Sequence, residues 1–232
     1  MKVKKVVGEL YQVNLGFVNA YVMNRDELSL IDTGMPGNAK DIVRAIQELG
    51  KEVSDLRHIV VTHLHADHTG SLAELARQSG ATVYMHAQDA KLVAAGRAAR
   101  EMNAAPGLLS RLASRMMSRR GLPALEPCKT DVYLEEGDTL GFAGGMEVIH
   151  APGHAAGQIV LRWPEHGGVL VAADAASHFT RLGYPIVVEN LGITNRTLRR
   201  LCDLEFQAAC FGHGRPITQN ARASFRRRFA NV

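Results

Sequence analysis

The chain has 232 residues, a length consistent with one domain. It is 46% hydrophobic and 22% charged, which excludes the fibrous and disordered classes and leaves an ordinary globular protein. A net charge of +4 is partly clustered at Arg226, Arg227 and Arg228 and at Arg115, Arg119 and Arg120. No aromatic stacking pattern accompanies these arginines, so a solvated helix face explains them better than a nucleic-acid stripe. No apolar stretch is long enough to span a bilayer. The basic start, Met1 to Glu9, lacks the apolar core of a signal peptide, so a cytoplasmic location is the expectation. Three cysteines, Cys128, Cys202 and Cys210, form an odd set without a close pair and are expected to be reduced.

In chain order, residues 5–7, 17–23 and 28–31 read as strands, with a polar hairpin turn at residues 24–27. The Asp32-Thr33-Gly34-Met35-Pro36-Gly37 stretch breaks the sheet. Ile42, Val43, Ile46 and Leu49 recur at amphipathic-helix spacing, and Gly50 stops that helix. Residues 58–62 form an apolar strand, 72–78 a helix and 82–85 a strand. Residues 88–127 interrupt the alternation as a helical insert, two Ala-, Leu- and Met-rich helices broken at Pro106-Gly107. Its apolar residues, among them Leu108, Leu112, Met116 and Met117, must cover something: a substrate pocket, or a second copy in a homodimer. Strands return at residues 131–134, 146–150, 158–162 and 168–173, with a turn at residues 165–168 that leaves His166 at the surface. A helix at 195–204, a strand at 207–211 and a helix at 219–229 close the chain. Strands then helix, given twice, suggests an α/β fold of two sheets sandwiched between helices.

The most informative segment is His63-Leu64-His65-Ala66-Asp67-His68, directly after the strand at residues 58–62. A turn at a strand end can aim three imidazoles and a carboxylate at one point, and those donors suit zinc, iron or manganese. Downstream, His154 sits in a Pro-Gly turn, Asp174 ends an apolar run, and His213 follows another. A buried lone carboxylate is costly unless it is paired or bound to metal. Each candidate lies at a strand end, where open α/β sheets place ligands.

With Asp32-Thr33-Gly34, the His63 to His68 motif, Pro152-Gly153-His154, Asp174 and Gly212-His213-Gly214 in this order, the chain resembles the metallo-β-lactamase fold hydrolases over nearly its whole length. The resemblance implies a single domain over residues 1–232, a four-layer αββα sandwich of two mixed β-sheets flanked by helices. It implies two divalent metal ions, most readily Zn2+, with Fe or Mn as alternatives. His63, His65 and His154 would hold one, Asp67, His68 and His213 the other, Asp174 would bridge them, and Asp32 would orient a ligand from behind.

Such a pair can supply hydroxide near neutral pH and polarise a carbonyl, so no side-chain nucleophile is required. The sequence holds no Gly-x-Ser-x-Gly elbow, P-loop or dinucleotide fingerprint. Asp67 is the candidate for orienting that hydroxide or moving its proton. His178 and Tyr184, just after Asp174, are candidate substrate contacts, against a plain solvent or packing role. Among relatives, the zinc β-lactamases usually lack an aspartate at the position of Asp174. Glyoxalase II enzymes and lactonases share the full set of donors, but the first append a helical region and the second a tyrosine nearer the bridging aspartate. The expected activity is hydrolysis of a small ester, lactone or thioester. The alternatives are a phosphodiesterase, a one-iron persulfide dioxygenase and, last, a non-catalytic metal-binding module, whose closed sites would favour cysteine.

Overall fold

The computed structural model describes residues 2–121 and 123–232. The strands in chain order are β1 (Lys2–Val7), β2 (Leu10–Asn14), β3 (Asn19–Asn24), β4 (Leu28–Ile31), β5 (Leu56–Val61), β6 (Thr82–His86), β7 (Asn103–Ala104), β8 (Val132–Leu134), β9 (Thr139–Leu140), β10 (Met146–His150), β11 (Ile159–Trp163), β12 (Val169–Val171), β13 (Ser177–His178), β14 (Leu182–Gly183), β15 (Val187–Val188) and β16 (Ala208–Cys210). The helices are α1 (Ala39–Glu48), α2 (Ala66–Thr69), α3 (Leu72–Ser79), α4 (Ala87–Ala94), α5 (Leu108–Arg120), α6 (Leu191–Asp203) and α7 (Ala221–Phe229).

Among the described residues, one sheet runs β1-β2-β3-β4-β5-β6-β8 and the other β16-β12-β11-β10-β9. The first is antiparallel up to β4 and parallel from β4 to β8. The second is antiparallel except for the β12–β16 pair. Both are therefore mixed.

Strand periodicity builds the layers, because alternate side chains leave opposite faces. In β3 and β5, Ala20, Val22, Ile59 and Val61 face one core, which they share with Ile42 and Ile46 of α1, Leu72 and Leu75 of α3, and Ala90 and Val93 of α4. Tyr21, Met23 and Val60 face the opposite way, against Ile159, Leu161 and Trp163 of β11 and Val169 and Val171 of β12. On the outer face of the second sheet, Val160 and Leu170 pack under Leu198 and Leu201 of α6 and Phe225 and Phe229 of α7. Three cores thus separate four layers, α, β, β and α.

Three readings from sequence change. Residues 10–14 form the strand β2, whose polar Gln12 and Asn14 hid its alternation. The strand expected over 17–23 starts at Asn19, which leaves Phe17 exposed in the hairpin turn. The first helix assigned to the insert belongs to the body, since Ala90 and Val93 of α4 lie in the first core. The true excursion begins after α4. It pairs back through β7, antiparallel to β15, and packs Ala98 and Leu125 against Ala66 of α2. Helix α5 carries an exposed stripe of Leu108, Leu112 and Met116. The Met117 side chain lies outside the described residues. No helix among the described residues is long and apolar enough to cross a membrane.

Candidate metal centre

The central parallel strand β5 ends at Val61 and delivers Thr62, His63 and the short helix α2 to one edge of the sheet. His65 is the N-cap of α2, and Asp67 and His68 occupy its first turns. The second sheet brings His154 on the β10–β11 connection, Asp174 on the turn after β12, and His213 just after β16. Asp174 does not end the strand, as its sequence setting suggested. Strand β12 stops at Val171, and Ala173, at φ +45°, turns the chain so that the carboxylate faces the histidines.

The donors fall into three groups, His63/His65/His154, His63/His68/Asp174 and Asp67/His68/His213, with all donor atoms of a group within 4.8 Å of one another. All are buried except Asp67, which keeps 22% of its side chain exposed. All seven expected donors are thus brought together.

The geometry behind the rings fixes what they offer. Nδ1 of His68 bonds Asp32 at 2.8 Å, Nδ1 of His154 donates to the Val187 carbonyl at 2.8 Å, and Nδ1 of His213 donates to the Phe17 carbonyl at 2.9 Å. The Thr62 hydroxyl donates to Asp32 at 2.8 Å and lies 3.0 Å from Nδ1 of His63. Four imidazoles are held by Nδ1 from outside, so their Nε2 atoms converge inward. Asp32 also accepts the Thr62 N–H at 2.8 Å and is itself held at φ +61°. This is the orienting position anticipated for it.

Nε2 of His213 meets Asp67 and Asp174, but other inward atoms lack protein partners of the right kind. Nε2 of His65, Nε2 of His68 and Oδ1 of Asp174 are buried without any hydrogen-bond partner. Nε2 of His154 lies 3.2 Å from Nε2 of His63, although the Nδ1 bonds leave both as acceptors. Orphaned acceptors facing each other in a dry interior are unfavourable unless a cation lies between them. A nitrogen and oxygen set without sulfur suits zinc, iron or manganese. Metal ions fit this cluster, and Gly212 makes room for it. A Cβ there would sit 2.0 Å from Oδ1 of Asp174 and 2.7 Å from the His68 ring.

Proton affinities divide the cluster. Burial drives His63 well below its ordinary value and His65 down to about 3, with neighbouring imidazoles adding to both. Burial also lowers His154. For His68, burial opposes the charge, but Asp32, Asp67 and Asp174 outweigh it and hold the ring up to about 9. His213 rises well above its ordinary value, against burial, because of Asp174 and Asp67. Both carboxylates are held below the usual range: burial alone would raise them, and the cationic rings overcome it.

The two candidate substrate contacts lie differently. His178 is half-buried, with Nδ1 donating to the Arg215 carbonyl at 2.8 Å, and its backbone N–H bonds the His213 carbonyl. Tyr184 is engaged in packing instead: its hydroxyl donates to Asn195 at 2.8 Å and its ring meets Phe229 of α7. Sequence reasoning missed the Phe17 and Val187 carbonyls, which carry no residue signature. It also missed Asp89, which looks like any acid in the first turn of a helix.

A four-layer αββα body with this histidine and aspartate cluster at one sheet edge defines a metal-dependent hydrolase architecture. Residues 13–199 match the metallo-beta-lactamase superfamily, and the chain belongs to that family. It is 31% identical to YobT of Bacillus subtilis (strain 168) over 68% of this chain, spanning 61% of that relative's length. It is 28% identical to the probable metallo-hydrolase YqjP of the same organism, over 93% of this chain and 72% of that one. The solved Rm3 metallo-beta-lactamase superposes with a TM-score of 0.74 at 21% identity, covering 96% of this chain and 89% of that one. At that identity the likeness speaks for the fold.

Proposed function

We propose that the protein hydrolyses a small carboxylic ester, lactone or thioester, using two divalent metal ions of which zinc is the expected species. The observation that carries this reading is the convergence of seven imidazole and carboxylate donors, four of the imidazoles already held from outside by Nδ1. His63, His65 and His154 would hold one ion, and Asp67, His68 and His213 the other. Asp174 would lie between them, since its Oδ2 reaches His213 at 3.1 Å and His154 at 3.6 Å. When bound, the ions lower the pKa of a water and polarise the substrate oxygen.

The chain's own residues supply the rest. Asp67, ionised and 3.2 Å from Nε2 of His213, keeps an acceptor at the exposed lip of the cluster. It is placed to orient an O–H group. The same lip is apolar. Phe17 and Phe179 are 52% and 40% exposed, and their rings lie 4.5 and 5.9 Å from the His213 ring. Apolar walls beside a few polar groups suit a small acyl substrate. The excursion after α4 is proposed to cap that substrate, with Met116 among the contacts, because its Ala98 and Leu125 already pack on the metal turn.

Metal analysis together with a panel of lactone, ester, thioester and phosphodiester substrates tests this. About two metals per chain and turnover of the acyl substrates are expected. Preferential phosphodiester cleavage would replace the substrate class, and at most one metal after reconstitution would overturn the paired site.

A further inference from the structure

Asp89, in the first turn of α4, is fully buried, yet it contributes no donor to the metal cluster. Its Oδ2 accepts the Leu64 N–H at 3.1 Å, and its Oδ1 accepts the Gly157 N–H at 3.0 Å. Leu64 stands between His63 and His65, and Gly157 closes the turn that carries His154. One carboxylate therefore ties together the two backbone turns that present the three-histidine half. The approach is close enough to require glycine, because a Cβ on Gly157 would lie 2.6 Å from the Asp89 carboxyl carbon.

The other half is anchored differently. Asp32 holds the His68 ring, and the Thr33 N–H and hydroxyl both donate to the His68 carbonyl. Asp89 makes none of those contacts.

The charge on Asp89 is compensated from the capping excursion. Nη1 of Arg100 lies 2.6 Å from Asp89 and 3.2 Å from Glu189, and Nη2 donates to the Gln88 carbonyl. The Glu189 N–H in turn bonds the His154 carbonyl at 3.2 Å. Three residues beyond Arg100, β7 pairs with β15, whose Val187 carbonyl takes the Nδ1 proton of His154. Thus the excursion reaches the three-histidine half by two separate routes. A planar fork serves Asp89 and Glu189 from one nitrogen and the Gln88 carbonyl from the other, two fixed positions that the single nitrogen of a lysine cannot both occupy.

We propose that Asp89 is a positioning residue for the three-histidine half alone, and that Arg100 makes its grip depend on the docked cap. Docking of the cap then sets the affinity for the metal on that side. This rests on the metal-centre reading above.

The test is stepwise binding of Co(II) and Zn(II) to metal-stripped protein, by competition with a chromophoric chelator, with Co(II) absorption spectra alongside. His65→Ala and His213→Ala mark which constant and which spectral band belong to each half. Asp89→Asn places an NH2 against an N–H, Gly157→Ala pushes on the carboxylate without changing its charge, and Arg100→Lys keeps the charge but loses the fork. Each should weaken the constant that His65→Ala abolishes by about 10–100-fold and leave the His213-dependent one within about twofold. Equal weakening of both constants, or a fall in melting temperature with both constants unchanged, would show a merely structural role and overturn the inference. Should wild-type protein itself hold no pair of metals, the metal-centre reading falls first. Gly157→Ala and Arg100→Lys keep a charged Asp89, so loss of folding in Asp89→Asn would not remove the test.

Discussion

The two halves of the candidate metal centre share one cavity and differ in proton affinity. For His63, His65 and His154, burial outweighs every other influence, including Asp174 at 3.6 Å from His154, and holds all three rings below their ordinary value. His68 and His213 are equally buried, yet Asp32, Asp67 and Asp174 reverse the outcome and hold them protonated. Desolvation is common to both halves, and the placement of the carboxylates decides the sign. One side is thus a set of lone pairs ready for a cation. The other, without metal, is a set of ion pairs around His213 and Asp32, with Nε2 of His68 left unpartnered, and a cation enters it by displacing protons.

The largest test of this division is Asp67→Ala. Asp67 is the partly exposed member of the carboxylate half and makes no bond to the three-histidine half. Turnover should fall on the order of 10³-fold, while the three-histidine side keeps its metal. Steady-state kinetics combined with metal content on the same preparation check this. Near-normal turnover would remove Asp67 from the chemistry.

A second outcome concerns pH and the metal-free chain. His68 is raised from 6.5 to about 9 in the folded state, so its stabilisation is full below pH 6.5 and lost as pH rises toward 9. His65 is lowered from 6.5 to about 3, so its contribution is full above pH 6.5 and lost as pH falls toward 3. Stripped protein should therefore melt highest near the middle of these windows, and lower on both sides. Loading metal should flatten the alkaline limb, because a metal ion takes the place of the His68 proton. Melting curves from pH 5 to 9 with and without Zn2+ would show it. An alkaline limb unchanged by metal would mean that His68 is not a ligand.

How much of this was legible in the sequence follows from where each interaction lives. His63, His65, Asp67 and His68 sit within six residues, so their convergence needs only a tight turn. His154, Asp174, His213 and Asp32 are far apart, and only the order of short motifs connected them. The four layers could be inferred from strand and helix alternation, since β3, β5, β11 and β12 bury both faces. What was missed is tertiary. The Phe17 and Val187 carbonyls act through the backbone, which every residue shares. Asp89 and Arg100 are eleven residues apart and read as surface charges until the fold brings the His154 turn against them. Helix α4 was assigned to the insert because an Ala-rich amphipathic segment does not state which core its apolar face will meet.

The smallest expected effect lies at the cap, and it asks whether substrate choice can be separated from both halves of the centre. Met116 is 54% exposed on α5, in line with Leu108 and Leu112 at helical spacing. A side chain already half in water gives up only part of its surface to a bound acyl chain. Met116→Ala should therefore shift the preference between short and long acyl chains by roughly threefold, well short of the discrimination of a fully enclosed pocket. Both metal constants should stay at wild-type values, because Met116 is exposed and takes no part in the bonds that Arg100 makes to Asp89, Glu189 and Gln88. Ratios of kcat/KM across an acyl series, read beside the solution mass, decide the matter. A shifted preference at constant mass and metal content supports a substrate cap. Unchanged preference with loss of a dimer would make the stripe an interface between two copies, and the excursion would then serve assembly while Arg100 and the β7–β15 pair connected it to the three-histidine half.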